Sequence, residues 1–263
     1  MTRNEIIAGA VQFVAASPGN YVSEEVALDP AFVGIQIFES PVFAIGAADD
    51  RLYEAYKDDN VIGRSFMSPI EWLPCAKTVI SFFLPFTGRI KKANALNNEW
   101  PADEWLQGRH EGQLFLQDLS VHIQKQLCDA GYDCIIPSLD PRFKLLNRSI
   151  PSWSERHAAY ACGLGTFGLS KGLITEKGIC GRFGSLLTNL DIESDERRYT
   201  DVYEYCNMCG LCIPKCPAGA ISKDGKDSSL CAAFLERVRE KHSPRYGCGK
   251  CQVDVPCESG IPC

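Results

Sequence analysis

Cys206, Cys209, Cys212 and Cys216, closed by Pro217, carry the strongest chemical signal in this sequence. The spacing C-x2-C-x2-C-x3-C-P is that of bacterial ferredoxins, whose thiolates hold 4Fe–4S clusters. Two intervening residues let a tight turn aim successive thiolates at different corners of one cube. Gly210 relieves crowding where the chain wraps it. The fourth cysteine is carried past that cube, and in two-cluster ferredoxins it ligates the other cluster. The alternative is a structural zinc site. Zinc usually draws four cysteines from two separated C-x2-C pairs, not from one continuous run.

The run is followed by Cys231, Cys248, Cys251, Cys257 and Cys263. Cys248 and Cys251 form a further C-x2-C pair. Cys257 follows a proline where the standard second run precedes one. The simplest assignment crosses the halves. Cys206, Cys209, Cys212 and Cys257 hold one cluster; Cys216, Cys231, Cys248 and Cys251 hold the other. Cys263 can replace Cys257, because Gly260-Ile-Pro makes a flexible approach. One cluster with structural thiols is the other possibility. Two adjacent clusters make a wire for low-potential electrons. A wire needs an acceptor, which the remaining 200 residues are expected to hold.

Length and composition fit that division. The chain has 263 residues, 45% of them apolar and 23% charged, the values of a soluble globular protein. This suggests one large domain plus a small module. Nine of the 14 cysteines fall in the last 63 residues. The amphipathic start lacks the unbroken apolar stretch of a cleavable signal, so a reducing, cytoplasmic setting is expected, with metal ligands rather than disulfides. No apolar run approaches a membrane span. The net charge of −6 argues against a nucleic-acid binder.

The elements that must position these groups read as follows. Helices are expected at 5–16, capped by Asn4, at 49–57, 111–130, 154–162 and 230–241, with apolar residues at helical spacing. Strands are expected at 33–38, 78–85, 133–136, 173–175 and 185–188. The mixture predicts an α+β domain over 1–200 and a ferredoxin-like domain over 201–263. The charged run 191–201 reads as the linker. Glycines at 163, 165, 168, 172 and 178 let backbone approach a flat or phosphorylated cofactor. Gly163 to Gly168 formally match G-x-G-x-x-G, but a helix precedes them where a dinucleotide fold needs a strand.

Ala161-Cys-Gly-Leu-Gly-Thr-Phe-Gly-Leu-Ser-Lys-Gly-Leu173, then Gly184-Ser-Leu-Leu-Thr-Asn-Leu190, then the ferredoxin run resemble epoxyqueuosine reductase and the related reductive dehalogenases. Lys77 to Phe86 and Tyr246-Gly-Cys-Gly-Lys-Cys251 are similar to further parts of that family. The resemblance spans roughly residues 75–260. It implies a nitroreductase-like α/β sandwich that binds base-off cobalamin, whose cobalt is reduced by the clusters. It points to Gly163, Leu164, Gly165, Phe167, Gly168, Leu169, Ser170, Gly184 and Ser185 as the cofactor-binding residues. The sequence also departs from the family. Trp153-Ser-Glu-Arg156 aligns with a V-L-E-R-like stretch, which puts Ser149 where the family has its acidic proton donor. Asp140 is the nearest upstream carboxylate. Cys162 replaces the usual alanine. No counterpart of the C-terminal helical repeats that help hold tRNA is seen, so nucleic acid is not an expected partner.

The expected function is therefore reduction of a small organic substrate, with electrons passing from a ferredoxin or flavodoxin through two 4Fe–4S clusters to cobalamin. A flavin is the less favoured second cofactor. The alternatives are a flavin-dependent reductase and an electron-transfer partner that reactivates a separate corrinoid protein. Lys215, Arg245 and Lys250 are candidates for docking an acidic donor. His110, His122 and His157 read as surface or capping groups, and Tyr160 as a core tyrosine. Cys75, Cys128, Cys134 and Cys180 read as small buried hydrophobes.

Overall fold

The computed structural model describes residues 1–146 and 150–263. Ser149, the position aligned with the proton donor, lies outside the described residues. Helix α1 (Arg3–Ala16) leads to β1 (Val42–Ala47), short helices α2 (Leu52–Ala55) and α3 (Pro69–Trp72), and β2 (Thr78–Pro85). Helices α4 (Gly88–Ala95) and α5 (Asp103–Asp129) follow, then β3 (Cys134–Ile135), β4 (Leu145–Leu146), β5 (Ile150–Pro151) and α6 (Glu155–Ala161). After these come β6 (Gly165–Phe167), β7 (Leu173–Thr175) and β8 (Gly181–Thr188). The C-terminal part holds β9 (Ile221–Ser222), β10 (Gly225–Lys226) and α7 (Ser228–His242). None of the described helices is long and apolar enough to cross a membrane.

An antiparallel sheet in the order β1-β2-β8-β3 forms the centre. All eight residues of β2 are buried, because both faces of the sheet are covered. Alternation divides its side chains between two cores. Ile80, Phe82 and Leu84 pack with Leu186 against α1 and α5, beside Val14, Phe115 and Leu119. Val79 and Phe83 pack with Leu187 against Tyr53, Trp72, Trp153 and Ala159 on the other face. The result is a mixed α/β sandwich.

The C-terminal part is bound closely to this frame. The Ile179 amide donates to the Cys257 carbonyl at 2.9 Å, and the Phe167 amide to the Val202 carbonyl at 2.8 Å. Phe234 and Val238 of α7 pack on Leu106 of α5. At Gly249 the backbone has φ +65 and presses on the Trp105 ring; a Cβ there would fall 1.8 Å from Cζ2. Gly249→Ala is expected to cost at least about 2 kcal/mol through strain and overlap, and to deplete any iron bound at the flanking Cys248 and Cys251. A thermal melt with iron analysis checks this. An unchanged melt with full iron would mean that Trp105 swings aside.

Several expectations need correction. Thr2, not Asn4, caps α1, in a capping box with Glu5. Residues 33–38 form no continuous strand; besides isolated bridges from Gln36 and Phe38 they are tied by single backbone hydrogen bonds such as those of Ile37 to Asn20 and Gly34 to Val22. The run 191–201 is not a free linker. Asp195 pairs with Arg3 at 2.6 Å and accepts from the Ile45 amide, Arg197 pairs with Asp50 at 3.0 Å, and Tyr199 is buried. Cys180 is buried as expected, but Cys75 and Cys128 are exposed and Cys134 is half-buried.

Candidate iron–sulfur and cofactor site

Eight of the nine C-terminal cysteines line two cavities. The first, of about 360 Å³, is lined by Cys206, Cys209, Cys212 and Cys257, with Gly168, Leu169, Ile179 and Val255 among its walls. The run can wrap it because Met208 and Gly210 adopt left-handed backbone, φ 53 and 73. Gly168 lies against it: a Cβ there would stand 3.8 Å from Cys206 Sγ. The second cavity, of about 820 Å³, is lined by Cys216, Cys231, Cys248 and Cys251, with Trp105, Arg109, Arg182, Lys226 and Tyr246. The Ala220 amide points at Cys216 Sγ from 3.3 Å. Cys263 is exposed and lines neither cavity.

Burial pushes the Cys248 and Cys257 thiols up to about 12. Bare thiols there keep their protons, and metal binding has to displace them. Among the described residues no group of three or more His, Cys, Asp or Glu side chains is drawn together closely enough to hold a metal ion. Four thiols around each cavity suit a multi-iron cluster, which takes one ligand at each corner.

The nine residues expected to bind a cofactor do not share one cavity. Gly168, Leu169 and Ser170 line the first cysteine cavity. Gly163 and Leu164 line a separate groove with Arg3, Phe43 and Glu196. Gly165 and Phe167 belong to the β6–β7 pair, where a Cβ on Gly165 would meet the Ile174 carbonyl at 2.1 Å. Gly184 and Ser185 lie on β8, paired with Phe82 and Ser81.

These last two mark the richest surroundings. β3 pairs with β8 only at Thr188 and Leu187, so among the described residues the β8 edge from Gly181 to Leu186 carries no further strand on that side. Arg182 on that edge donates to Gln113 of α5. Ser185 accepts from Trp153 Nε1 at 2.9 Å and donates to Glu155 Oε2 at the start of α6. Glu155 Oε1 is buried and finds no partner. Burial pushes this carboxyl from 4.5 up to about 7, against the hydrogen bond from Ser185, the nearby polar groups of Ser138 and Trp153, and the Arg182 charge. Arg156 keeps accessible surface, yet loss of hydration holds its guanidinium below the usual range, and Cys251 and Cys231 are close enough to act on it. The recess along this open strand edge adjoins the second cysteine cavity, which Arg182 lines.

Glu155 was not singled out in the sequence, because its role depends on Ser185, thirty residues away. Asp140 is unsuited to holding a proton: its hydrogen bonds from Arg142 keep it below the ordinary carboxylate range. Of the docking candidates, Lys250 is fully buried and donates to the Asn94 carbonyl at 2.7 Å. Arg245 is paired with Glu111 at 2.6 Å, and Lys215 with Asp254. They brace the structure and do not present a free basic face. His157 is desolvated to about 3 and its Nδ1 meets Ser154 Oγ at 2.8 Å, so it stays neutral at the helix start.

Comparison with known proteins agrees with this picture. Residues 199–222 match the 4Fe-4S binding domain family. The epoxyqueuosine reductase of Listeria monocytogenes is 32% identical over 118 residues, covering 41% of this chain and 30% of that protein. The tetrachloroethene reductive dehalogenase of Desulfitobacterium hafniense is 39% identical over 97 residues, 35% of this chain and 18% of that one. A solved structure of epoxyqueuosine reductase from Bacillus subtilis superposes with a TM-score of 0.52 at 18% identity, over 86% of this chain and 63% of that one. The chain spans 30%, 53% and 46% of the three epoxyqueuosine reductase sequences it matches. In its 4Fe–4S motif, its sequence and its fold, the chain is similar to the epoxyqueuosine reductases and the reductive dehalogenases.

Proposed function

We propose that the chain is an iron–sulfur oxidoreductase. In this reading residues 201–263 hold two 4Fe–4S clusters, and residues 1–200 form a nitroreductase-like domain that binds base-off cobalamin and a small organic substrate. The observation that carries it is the abutment of the second four-cysteine cavity on the recess along β8, with Arg182 shared between them.

The parts have distinct roles. Cys206, Cys209, Cys212 and Cys257 hold the outer cluster. Cys209 is exposed, and Met208 and Leu211 beside it are each 49% exposed, so a ferredoxin or flavodoxin donor delivers electrons at this apolar lip. Cys216, Cys231, Cys248 and Cys251 hold the inner cluster beside the recess. Gly184 and Ser185, on the strand edge, supply backbone and hydroxyl groups to the cofactor. Cobalamin, when bound, supplies a cobalt centre able to take single electrons from the inner cluster. Glu155 holds a proton on its carboxyl and gives it to the reduced substrate. Trp153 and Ser185 fix that carboxyl in place.

Anaerobic metal analysis and an ultraviolet–visible spectrum test the reading. About eight irons per chain are expected for two clusters. Cobalamin added to the protein should survive desalting and show a base-off spectrum. Eight irons without retained cobalamin would remove the corrinoid. The chain would then be an electron-transfer partner or a flavin-dependent reductase.

A further inference from the structure

Three guanidiniums stand around the recess without a carboxylate paired to any of them. Arg109 of α5 donates to Tyr246 Oη at 3.3 Å, with its guanidinium carbon 4.7 Å from that ring's centre. Arg182 uses one nitrogen on Gln113, while its Nε is buried and has no partner. Arg156 reaches only the Lys171 carbonyl. None of the three belongs to a salt bridge among the described residues. Lost hydration, then the like charges of Arg109 and Arg156, press on Arg182. Gathering like charges without a counter-ion is unfavourable, and an anion would complete the site.

The inner cluster does not by itself require them. The outer cavity surrounds four cysteines of the same chemistry, and no Lys or Arg lines it. The inner cavity is also the larger of the two and opens to solvent, and Arg109, Arg182 and Tyr246 line it.

We propose that the recess binds the oxyanion, a carboxylate or phosphate, of a small anionic substrate, with Arg109 and Arg182 as its clamp and the Tyr246 hydroxyl and Gln113 amide as neutral donors. This names a substrate class for the reductase site proposed above and rests on that reading. A guanidinium presents two parallel N–H groups to an oxyanion, which is why arginine suits this task. The arginines raise the local concentration of anions beside the inner cluster and fix the end of the substrate that does not react.

Calorimetric titration of the iron-loaded protein with benzoate and with inorganic phosphate tests this, each before and after saturation with cobalamin. Saturable 1:1 binding of at least one anion is expected, and it should persist with cobalamin present. Arg182→Gln and Arg109→Gln should each weaken it about tenfold or more. Arg109→Lys should recover only part of the loss. Iron content is followed throughout, and if Arg182→Gln loses iron, the Arg109 pair carries the test. Absence of saturable binding, or binding that neither Gln variant weakens, overturns the proposal. So does binding that cobalamin abolishes, since the arginines would then hold the cofactor's own phosphate. If benzoate or phosphate binds but cobalamin is never retained, the corrinoid reading falls and the anion site stands.

Discussion

Cys257→Ser is expected to lower the iron content from about eight to about four per chain, while Cys263→Ser leaves it unchanged. The two cysteines are equivalent by spacing, since either can follow the run after a flexible stretch. Their positions separate them. Cys257 lines the outer cavity, with its carbonyl tied to the Ile179 amide at 2.9 Å. Cys263 is exposed, and only its backbone carbonyl is engaged, by Asn207 Nδ2 at 3.0 Å. In the proposed reading the outer cluster is also where electrons enter. Turnover driven by a protein donor should therefore fall at least about 100-fold in Cys257→Ser, while the iron that remains stays in the inner cavity. Iron analysis with electron paramagnetic resonance of the reduced protein reads both effects. Full iron in Cys257→Ser together with loss in Cys263→Ser would exchange the two ligands. Full iron in both would mean that neither thiolate is required, and would sink the assignment of Cys257 as the fourth ligand of the outer cluster.

How much of this was legible depends on whether the determining contacts are local. β2 runs from Thr78 to Pro85, the span expected from its apolar run and closing proline. The cysteine spacing named the residues that gather at the two cavities, because a run that wraps one object needs no distant partner. Helix α5 was harder: it begins at Asp103, eight residues before the expected start at Glu111. Gly108 and Gly112 interrupt its apolar stripe, and they do so for a tertiary reason. A Cβ at these positions would fall 2.5 Å from Ile90 and 2.7 Å from Phe38. Residues 33–38 alternate like a strand, yet Gly34 turns with φ +80 and leaves the chain meeting its neighbours only at single bridges and single backbone hydrogen bonds. Asp195 and Arg197 looked like a solvated run because their partners, Arg3 and Asp50, lie far away in sequence. The recess was hidden for the same reason. Arg109, Glu155 and Arg182 come from α5, α6 and β8, and no spacing rule joins them.

Glu155→Gln is expected to separate activity from stability. If Glu155 donates the proton, the active form is the protonated carboxyl. Burial has raised it to about 7, so the wild-type rate should decline as pH rises through that value. The variant should lose about 10²–10⁴-fold in turnover and show no such limb, since an amide neither carries that proton nor titrates. Stability should move the other way. Below pH 4.5 the carboxyl is protonated in both folded and unfolded chains and costs nothing. Between 4.5 and about 7 the unfolded chain releases the proton more readily, and the folded state loses stability progressively. Above that the penalty is complete, on the order of 3 kcal/mol for a shift of this size. Glu155→Gln should therefore melt higher than wild type at pH 8 and show no such gain at pH 4. The charged group acting on the carboxyl is Arg182 on β8, and it opposes the upward shift. Ser138, Trp153 and Ser185 fix its orientation and should stay in place around the isosteric amide. Melting curves and pH–rate profiles of the two proteins, taken with equal iron, decide the matter. A variant that is more stable at pH 8 yet fully active would make Glu155 a buried strain point with no part in proton transfer. A variant inactive but unshifted in its melt would mean that the recess is already wet enough to solvate the carboxylate, leaving Glu155 in the chemistry without the raised proton affinity.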